Sequence, residues 1–175
     1  ALAASTVGIA MGGAGTDTLA ISVAGDATAL FTVSAVSTSG VEKVLLNNFD
    51  TDNTANGTVV ATTLMTGLTT VGLSASGDDG DTVFSGMKNF VDAEMSNGSG
   101  DLMLTYDGAQ AVSGTADVQN LAVSNMTAGT FTADGIETIN LTSSTTKSTL
   151  AAVTTGAGAA AELTSLKVSG DADLK

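Results

Sequence analysis

The sequence predicts an all-β solenoid of roughly six rungs, in which short strands alternate with turns rich in glycine and aspartate. Three observations favour this fold: a strand template that recurs along the chain, a composition dominated by Thr, Ala, Ser, Gly and Val, and near-regular aspartate spacing. Thr and Val favour strands, and internal repeats of tens of residues are typical of stacked arrays. Aromatic residues make up only 3% of the chain, so we expect narrow layers of small side chains.

The template is an alternating apolar strand followed by a tight turn, and residues 163–175, LTSLKVSGDADLK, contain both parts. Leu166 and Val168 share one strand face because side chains alternate with a period of two, and Ser169-Gly170-Asp171 has the chemistry of a turn. Aspartates 26 or 27 residues apart, such as Asp52 and Asp78, indicate a rung of about that length. Copies of the template begin at Val41, Leu68, Met87, Val118, Ile136 and Leu163.

The same alternation predicts which side chains fill the interior. Equivalent positions of successive strands should stack in columns, because each rung repeats the strand of the rung before it. The interior set is Leu19, Ile21, Val44, Leu46, Val71, Leu73, Leu121, Val123, Ile139, Leu141, Leu166 and Val168.

The elements follow in chain order from this pattern. Residues 1–11 are small and apolar and are expected to form an edge strand or a disordered lead-in, residues 83–94 alone could form a short helix, and residues 150–161 fit a strand or a surface excursion. We expect one solenoid segment over residues 1–175, within a longer chain or a repeating assembly, since the sequence starts without Met and stops as a strand begins. Strands are predicted near 19–23, 30–36, 41–46, 58–64, 68–73, 102–106, 118–123, 129–132 and 136–141.

Charge and composition exclude several classes of function. The net charge of −13 leaves no basic footprint for nucleic acid, and it disfavours anionic lipid headgroups. No apolar run is long enough for membrane insertion. The absence of His and Cys removes the usual acid–base and thiol catalysts. Asp79 and Asp81 form a carboxylate pair of the kind used in glycoside hydrolysis, but aromatic platforms are scarce, so we expect no enzyme.

Calcium is the expected cofactor, because aspartates in glycine-rich turns supply the oxygen ligands that this cation prefers. Residues 12–20, GGAGTDTLA, match every fixed position of the calcium nonapeptide G-G-x-G-x-D-x-U-x. One nonapeptide supplies only part of a shell of six to eight oxygens, so a second rung must contribute. The bland alternative for each of these stretches is a solvated Gly-Asp turn. The candidate metal residues are Gly13, Gly15, Asp17, Asp26, Gly77, Asp78, Asp79, Asp81, Gly100 and Asp101.

The phrases GGAGTDTLA, GVEKVLLNN, GIETINLTSS and LTSLKVSGDADLK together resemble bacterial surface-layer (S-layer) proteins related to RTX proteins, from about residue 12 to the end. The resemblance implies secretion, a parallel right-handed β-solenoid loaded with calcium, and a lattice of like copies on the outer cell surface. It places Asp17, Asp78 and Asp81 at calcium-turn positions. It also allows attachment to cell-surface polysaccharide through a region outside this chain. The departure is that only one nonapeptide is complete.

The sequence is compatible with two functions. The first is a structural extracellular protein, stabilised by calcium, that assembles with copies of itself into a surface layer, lattice or filament. The second is a binding module, namely the solenoid stalk of a large adhesin or biofilm protein. The first predicts regular assemblies in calcium, and the second predicts a monomer.

Overall fold

All regular structure in the described part of the chain is β. The computed structural model describes residues 8–25, 32–33, 36–51, 57–107, 114, 116–155 and 163–175. Within them, no helix is long and apolar enough to cross a membrane. In chain order the strands are β1 (Gly8–Met11), β2 (Thr18–Ala24), β3 (Thr32–Val33), β4 (Val36–Ser39), β5 (Lys43–Phe49), β6 (Thr58–Ala61), β7 (Thr70–Ser76), β8 (Thr82–Met87), β9 (Asp92–Gly98), β10 (Leu102–Tyr106), β11 (Val118–Met126), β12 (Thr130–Ala133), β13 (Thr138–Ser143), β14 (Ala152–Thr154) and β15 (Ser165–Gly170).

The strands coil into a parallel β-solenoid, as the sequence predicts. One sheet has the order β15-β13-β11-β9-β7-β5-β2, the second has the order β14-β12-β10-β8-β6-β3, and β1 pairs with β4 in a short third sheet. Every pairing between these strands is parallel. Each turn of chain adds one strand to each large sheet, so the six-stranded sheet spans five turns and the seven-stranded sheet spans six.

The number of residues in a rung varies more than the aspartate spacing suggests. Partners in the seven-stranded sheet follow one another at 25, 27, 22, 28, 20 and 27 residues. The template start at Met87 is wrong, because Val71 pairs with Ala93 and the equivalent start is therefore Phe90. Strand length is held by the ladder, whereas surface loops absorb insertions with little loss of stability.

The interior follows the predicted columns through the middle of the solenoid. Eight of the twelve predicted side chains are at most 1% exposed, and the two on β2 are partly buried against them. Leu166 and Val168 on β15 are the exceptions, at 46% and 56% exposed. They pair with Ile139 and Leu141, but among the described strands β15 has β13 as its one neighbour, so no further strand covers them. The eight are Val44, Leu46, Val71, Leu73, Leu121, Val123, Ile139 and Leu141.

The short helix considered for residues 83–94 is wrong. Most of this stretch lies in β8 and β9, and burial alternates in each strand: Thr82 and Phe84 are buried in β8, and Ala93 and Met95 are buried in β9. Gly86, within β8, has a φ of 72°, a left-handed conformation that favours glycine and would interrupt a helix. Burial with a period of two therefore decides for strands.

A change of register in β11 brings a polar side chain into the interior. Leu121 pairs with Leu141, two residues from the partner that the template predicts, and Gln119 lies opposite Ile139. A shift of two keeps every side chain on the same face. Gln119 is buried and donates from Nε2 to the Val91 carbonyl at 2.8 Å, while its Oε1 accepts a hydrogen bond from the Tyr106 hydroxyl.

Candidate functional site

Two predicted acidic turns stack on each other where strands of the seven-stranded sheet end and strands of the six-stranded sheet begin. The first turn follows β7 and carries Asp78, Asp79 and Asp81, and the second follows β9 and carries Asp101. We call these four aspartates the acidic corner. Asp81 Oδ1 accepts the Asp101 N–H at 2.9 Å, so the corner joins consecutive rungs.

The carboxylates of the corner extend the backbone ladder across the turns. Asp101 Oδ1 accepts the N–H of Thr130 in the following rung at 2.6 Å, which repeats the bond between Asp81 and Asp101. The carbonyls of the same two aspartates accept N–H groups of the preceding rung, from Thr58 and Thr82. A carboxylate that accepts backbone N–H donors is a strong hydrogen-bonding partner. These aspartates therefore have a structural role with or without a metal ion.

Glycines let the backbones of the corner approach each other closely. A Cβ added at Gly100 would lie 2.4 Å from the Gly80 carbonyl oxygen, and one added at Gly80 would lie 2.2 Å from the Asn48 carbonyl oxygen. Gly129 in the next rung would place a Cβ 2.7 Å from the Gly100 carbonyl oxygen. These glycines are needed for space and not only for turning.

A buried amide fixes the corner from the inside. Asn48 is fully buried, and its Nδ2 donates to the Asp81 carbonyl at 2.9 Å and to Thr82 Oγ1 at 3.0 Å. Its Oδ1 accepts the Asp50 N–H at 3.1 Å. Sequence reasoning missed Asn48, because the strand was predicted to end at residue 46 and residues 47–57 were expected to form a loop, whereas β5 continues to Phe49. The alternation of Val44 and Leu46, continued by one more step, would have placed Asn48 inside, where a buried amide must find partners.

Electrostatic repulsion is concentrated on Asp81. Burial raises the pKa of its carboxyl group, the N–H of Asp101 acts in the opposite direction, and the nearby charges of Asp101, Asp79 and Asp78 raise the pKa further. A shallow cleft of about 120 Å³ borders Asp81 and Asp101. A hard cation in this cleft would relieve the repulsion.

The corner offers oxygen donors but not a closed coordination shell. Within the residues that the structure describes, no three acidic side chains converge closely enough to hold a metal ion. One oxygen each of Asp81 and Asp101 is also occupied by a backbone N–H. The donor set thus suits a cation that bridges two rungs and keeps water ligands, as a weak calcium site does.

The complete nonapeptide lies at the other end of the strands of the seven-stranded sheet, where these strands begin. Asp17 directly precedes β2, and its Oδ2 accepts the N–H of Gly13 at 2.7 Å, which closes its own loop. Gly15 has a φ of 118°, as the glycine-rich loop requires. The structure therefore does not bring Asp17 together with the acidic corner. Asp26 lies outside the described residues.

Two glutamates that sequence reasoning did not single out connect rungs at this end of the strands. Glu42 Oε2 accepts the N–H of Asp17 at 2.8 Å, and Glu137 Oε2 accepts the N–H of Asp117 at 2.7 Å. Both glutamates follow a glycine with positive φ and a buried apolar residue, in Gly40-Val41-Glu42 and Gly135-Ile136-Glu137. The repeated sequence Gly-apolar-Glu was the feature from which these two glutamates could have been identified.

Comparison of the chain with models of protein families, with curated proteins and with solved structures found no match. The interpretation of these residues therefore rests on their own geometry and chemistry.

Proposed function

We propose that this chain is a structural extracellular protein, a calcium-stabilised β-solenoid that assembles with copies of itself into a surface layer or a related lattice or filament. One observation supports the proposal most strongly: Leu166 and Val168, the inward side chains of β15, are about half exposed. An apolar strand edge of this kind is a template for pairing with another strand.

Strand β2, at the other end of the described seven-stranded sheet, is the surface that we expect to receive β15 of a second copy. Leu19 on β2 begins a column that continues strand by strand through the seven-stranded sheet and ends at Val168 on β15. Leu19 is only partly buried. A second copy placed head to tail would set its β2 against β15 and continue the column. Such a contact joins two different surfaces, so it repeats into a filament or sheet instead of closing into a dimer.

Calcium binding at the acidic corner would favour both parts of the proposal, self-assembly and an extracellular location. Copies that each carry a net charge of −13 repel one another, and divalent ions at the acidic corner would reduce this repulsion. Because the corner supplies only part of a shell, a site there would fill only at the calcium concentrations of about 0.1–1 mM that suit extracellular modules. This argument favours a location outside the cell.

Electron microscopy of the purified protein tests the proposal. We expect ordered sheets or fibres in millimolar calcium and dispersed particles in chelator. Val168→Gln should prevent assembly by placing an amide at the contact, whereas Ala122→Gln on the exposed outer side of β11 should not. Single particles in calcium would contradict self-assembly and favour the adhesin stalk.

A further inference from the structure

The step between Asp117 and Glu137 contains two carboxylate oxygens that are buried and have no hydrogen-bond partner. Glu137 is 4% exposed, and its Oε2 accepts the Asp117 N–H at 2.7 Å. Its other oxygen, Oε1, is buried without a partner, and so is Oδ2 of Asp117. The backbone bond fixes the two residues in adjacent rungs, directly before β11 and β13.

Such an arrangement is unfavourable unless something neutralises it. A buried carboxylate oxygen without a partner loses its hydration and gains no hydrogen bond. No lysine performs this task, since the one ion pair among the described residues joins Lys43 to Glu94, on β5 and β9. A positively charged ligand at the step would satisfy both oxygens together.

The first rungs contain the same connection in a satisfied form. Glu42 Oε2 accepts the Asp17 N–H at 2.8 Å, but Glu42 is partly exposed and can be hydrated. Asp17 Oδ2 accepts the N–H of Gly13. In this earlier step neither carboxylate has a buried oxygen without a partner. The backbone bond alone therefore does not require orphaned oxygens, and the Asp117–Glu137 step differs in needing a further group.

We propose that the Asp117–Glu137 step is a binding site for a hard divalent cation, with Asp117 Oδ2 and Glu137 Oε1 as its carboxylate ligands. Two carboxylates balance a charge of +2, and oxygen-only donors suit calcium. Backbone carbonyls and water would supply the remaining ligands. The site lies where β11 and β13 begin, at the end of the strands opposite the acidic corner. It does not depend on self-assembly.

The single tyrosine of the chain gives this site its own spectroscopic probe. Tyr106 donates a hydrogen bond to the side chain of Gln119, which is two residues from Asp117. Terbium replaces calcium at oxygen sites, and it luminesces when an excited tyrosine transfers energy to it over a short distance. Terbium bound at this step should therefore luminesce on excitation of Tyr106, and added calcium should quench the signal by competition.

The experiment compares two glutamate variants that lose the same charge. Glu137→Gln should weaken terbium affinity about tenfold or more, whereas Glu42→Gln should leave the sensitised signal unchanged. Asp117→Asn serves as a second test if Glu137→Gln does not fold, and it should weaken affinity in the same way. A sensitised signal of equal affinity in these variants would overturn the proposal. The absence of a sensitised signal in the wild-type protein would overturn it as well.

Discussion

At the scale of single residues, the turns depend on space and charge. Gly13 and Gly100 both belong to predicted calcium turns, and neither has a left-handed φ. They differ in their surroundings, because a Cβ at Gly13 would meet nothing within 4 Å, whereas one at Gly100 would lie 2.4 Å from the Gly80 carbonyl oxygen. Their roles in the fold are therefore different, although the sequence patterns around them look alike.

We expect Gly100→Ala to destabilise the solenoid by about 1–3 kcal/mol or more, since the backbones of two rungs must separate to admit the methyl group. Gly13→Ala should change the free energy of unfolding by no more than about 0.5 kcal/mol. Urea unfolding of the two variants measures this. Equal losses would show that the close approach of Gly100 and Gly80 is wrong.

Asp81 should make stability depend on pH. Its pKa is raised in the folded state, so its favourable contribution is present below the usual carboxyl pKa of about 3.8 and is lost as pH rises through the raised value. Charged Asp81 thus weakens the fold at neutral pH. Asp81→Asn retains an acceptor for the Asp101 N–H, so we expect a higher melting temperature than wild type at pH 7 in chelator and no gain at acidic pH.

The exposed Asp173 provides the control for this variant. Asp173→Asn removes the same charge from a carboxylate outside the acidic corner, and it should shift the melting temperature less. Calcium should raise the melting temperature of wild type more than that of Asp81→Asn. A calcium response that is equal in the two proteins would remove the acidic corner from the account.

The candidate site could be read from the sequence only in part. Gly-Asp turns mark Asp78, Asp81 and Asp101 as local features. The predicted rung of 26 or 27 residues does not identify their neighbours, because Asp81 contacts Asp101, which is only 20 residues further along the chain. The sequence pattern does not reveal that Asp17 lies at the opposite end of the strands from the acidic corner, because the strand ends must be known first. Glu137 was missed because its burial depends on the rungs that cover it and not on its own neighbours in sequence.

At the scale of the strand, alternation determines which side chains are inside. It correctly places Leu73 and Leu141 in the core because each strand pairs on both sides and every second residue faces inward. It cannot distinguish an inner strand from an edge strand, so Leu166 reads like Leu73 although it is 46% exposed. The two-residue shift at Gln119 was also invisible, since it changes the partner and not the face.

Truncation of these leucines should separate the two environments. Leu73→Ala leaves a cavity in a closed layer and should lower the free energy of unfolding by about 2–5 kcal/mol. Leu166→Ala removes a side chain that is already half in water, so its loss should be about 1 kcal/mol or less in the dispersed protein. Chemical denaturation in chelator measures both. A similar loss at the two positions would mean that β15 is covered in solution.

At the scale of the whole molecule, the described seven-stranded sheet ends in two edge strands with apolar inward residues, β2 and β15, and the chain is strongly acidic. Head-to-tail contact between β15 and β2 would bury the edges, while the net charge of −13 opposes the approach of a second copy. Monovalent salt screens this repulsion only partially. Under the proposal, calcium would screen this repulsion and would also bridge carboxylates, so we expect calcium and sodium to differ even at equal ionic strength.

Sedimentation velocity in calcium chloride and in sodium chloride at matched ionic strength tests the central claim most directly. We predict association that grows steeply with protein concentration in calcium and weakly in sodium, and that Val168→Gln suppresses in both salts. A single monomeric species in millimolar calcium at high protein concentration would contradict the account of this chain as a self-assembling structural protein.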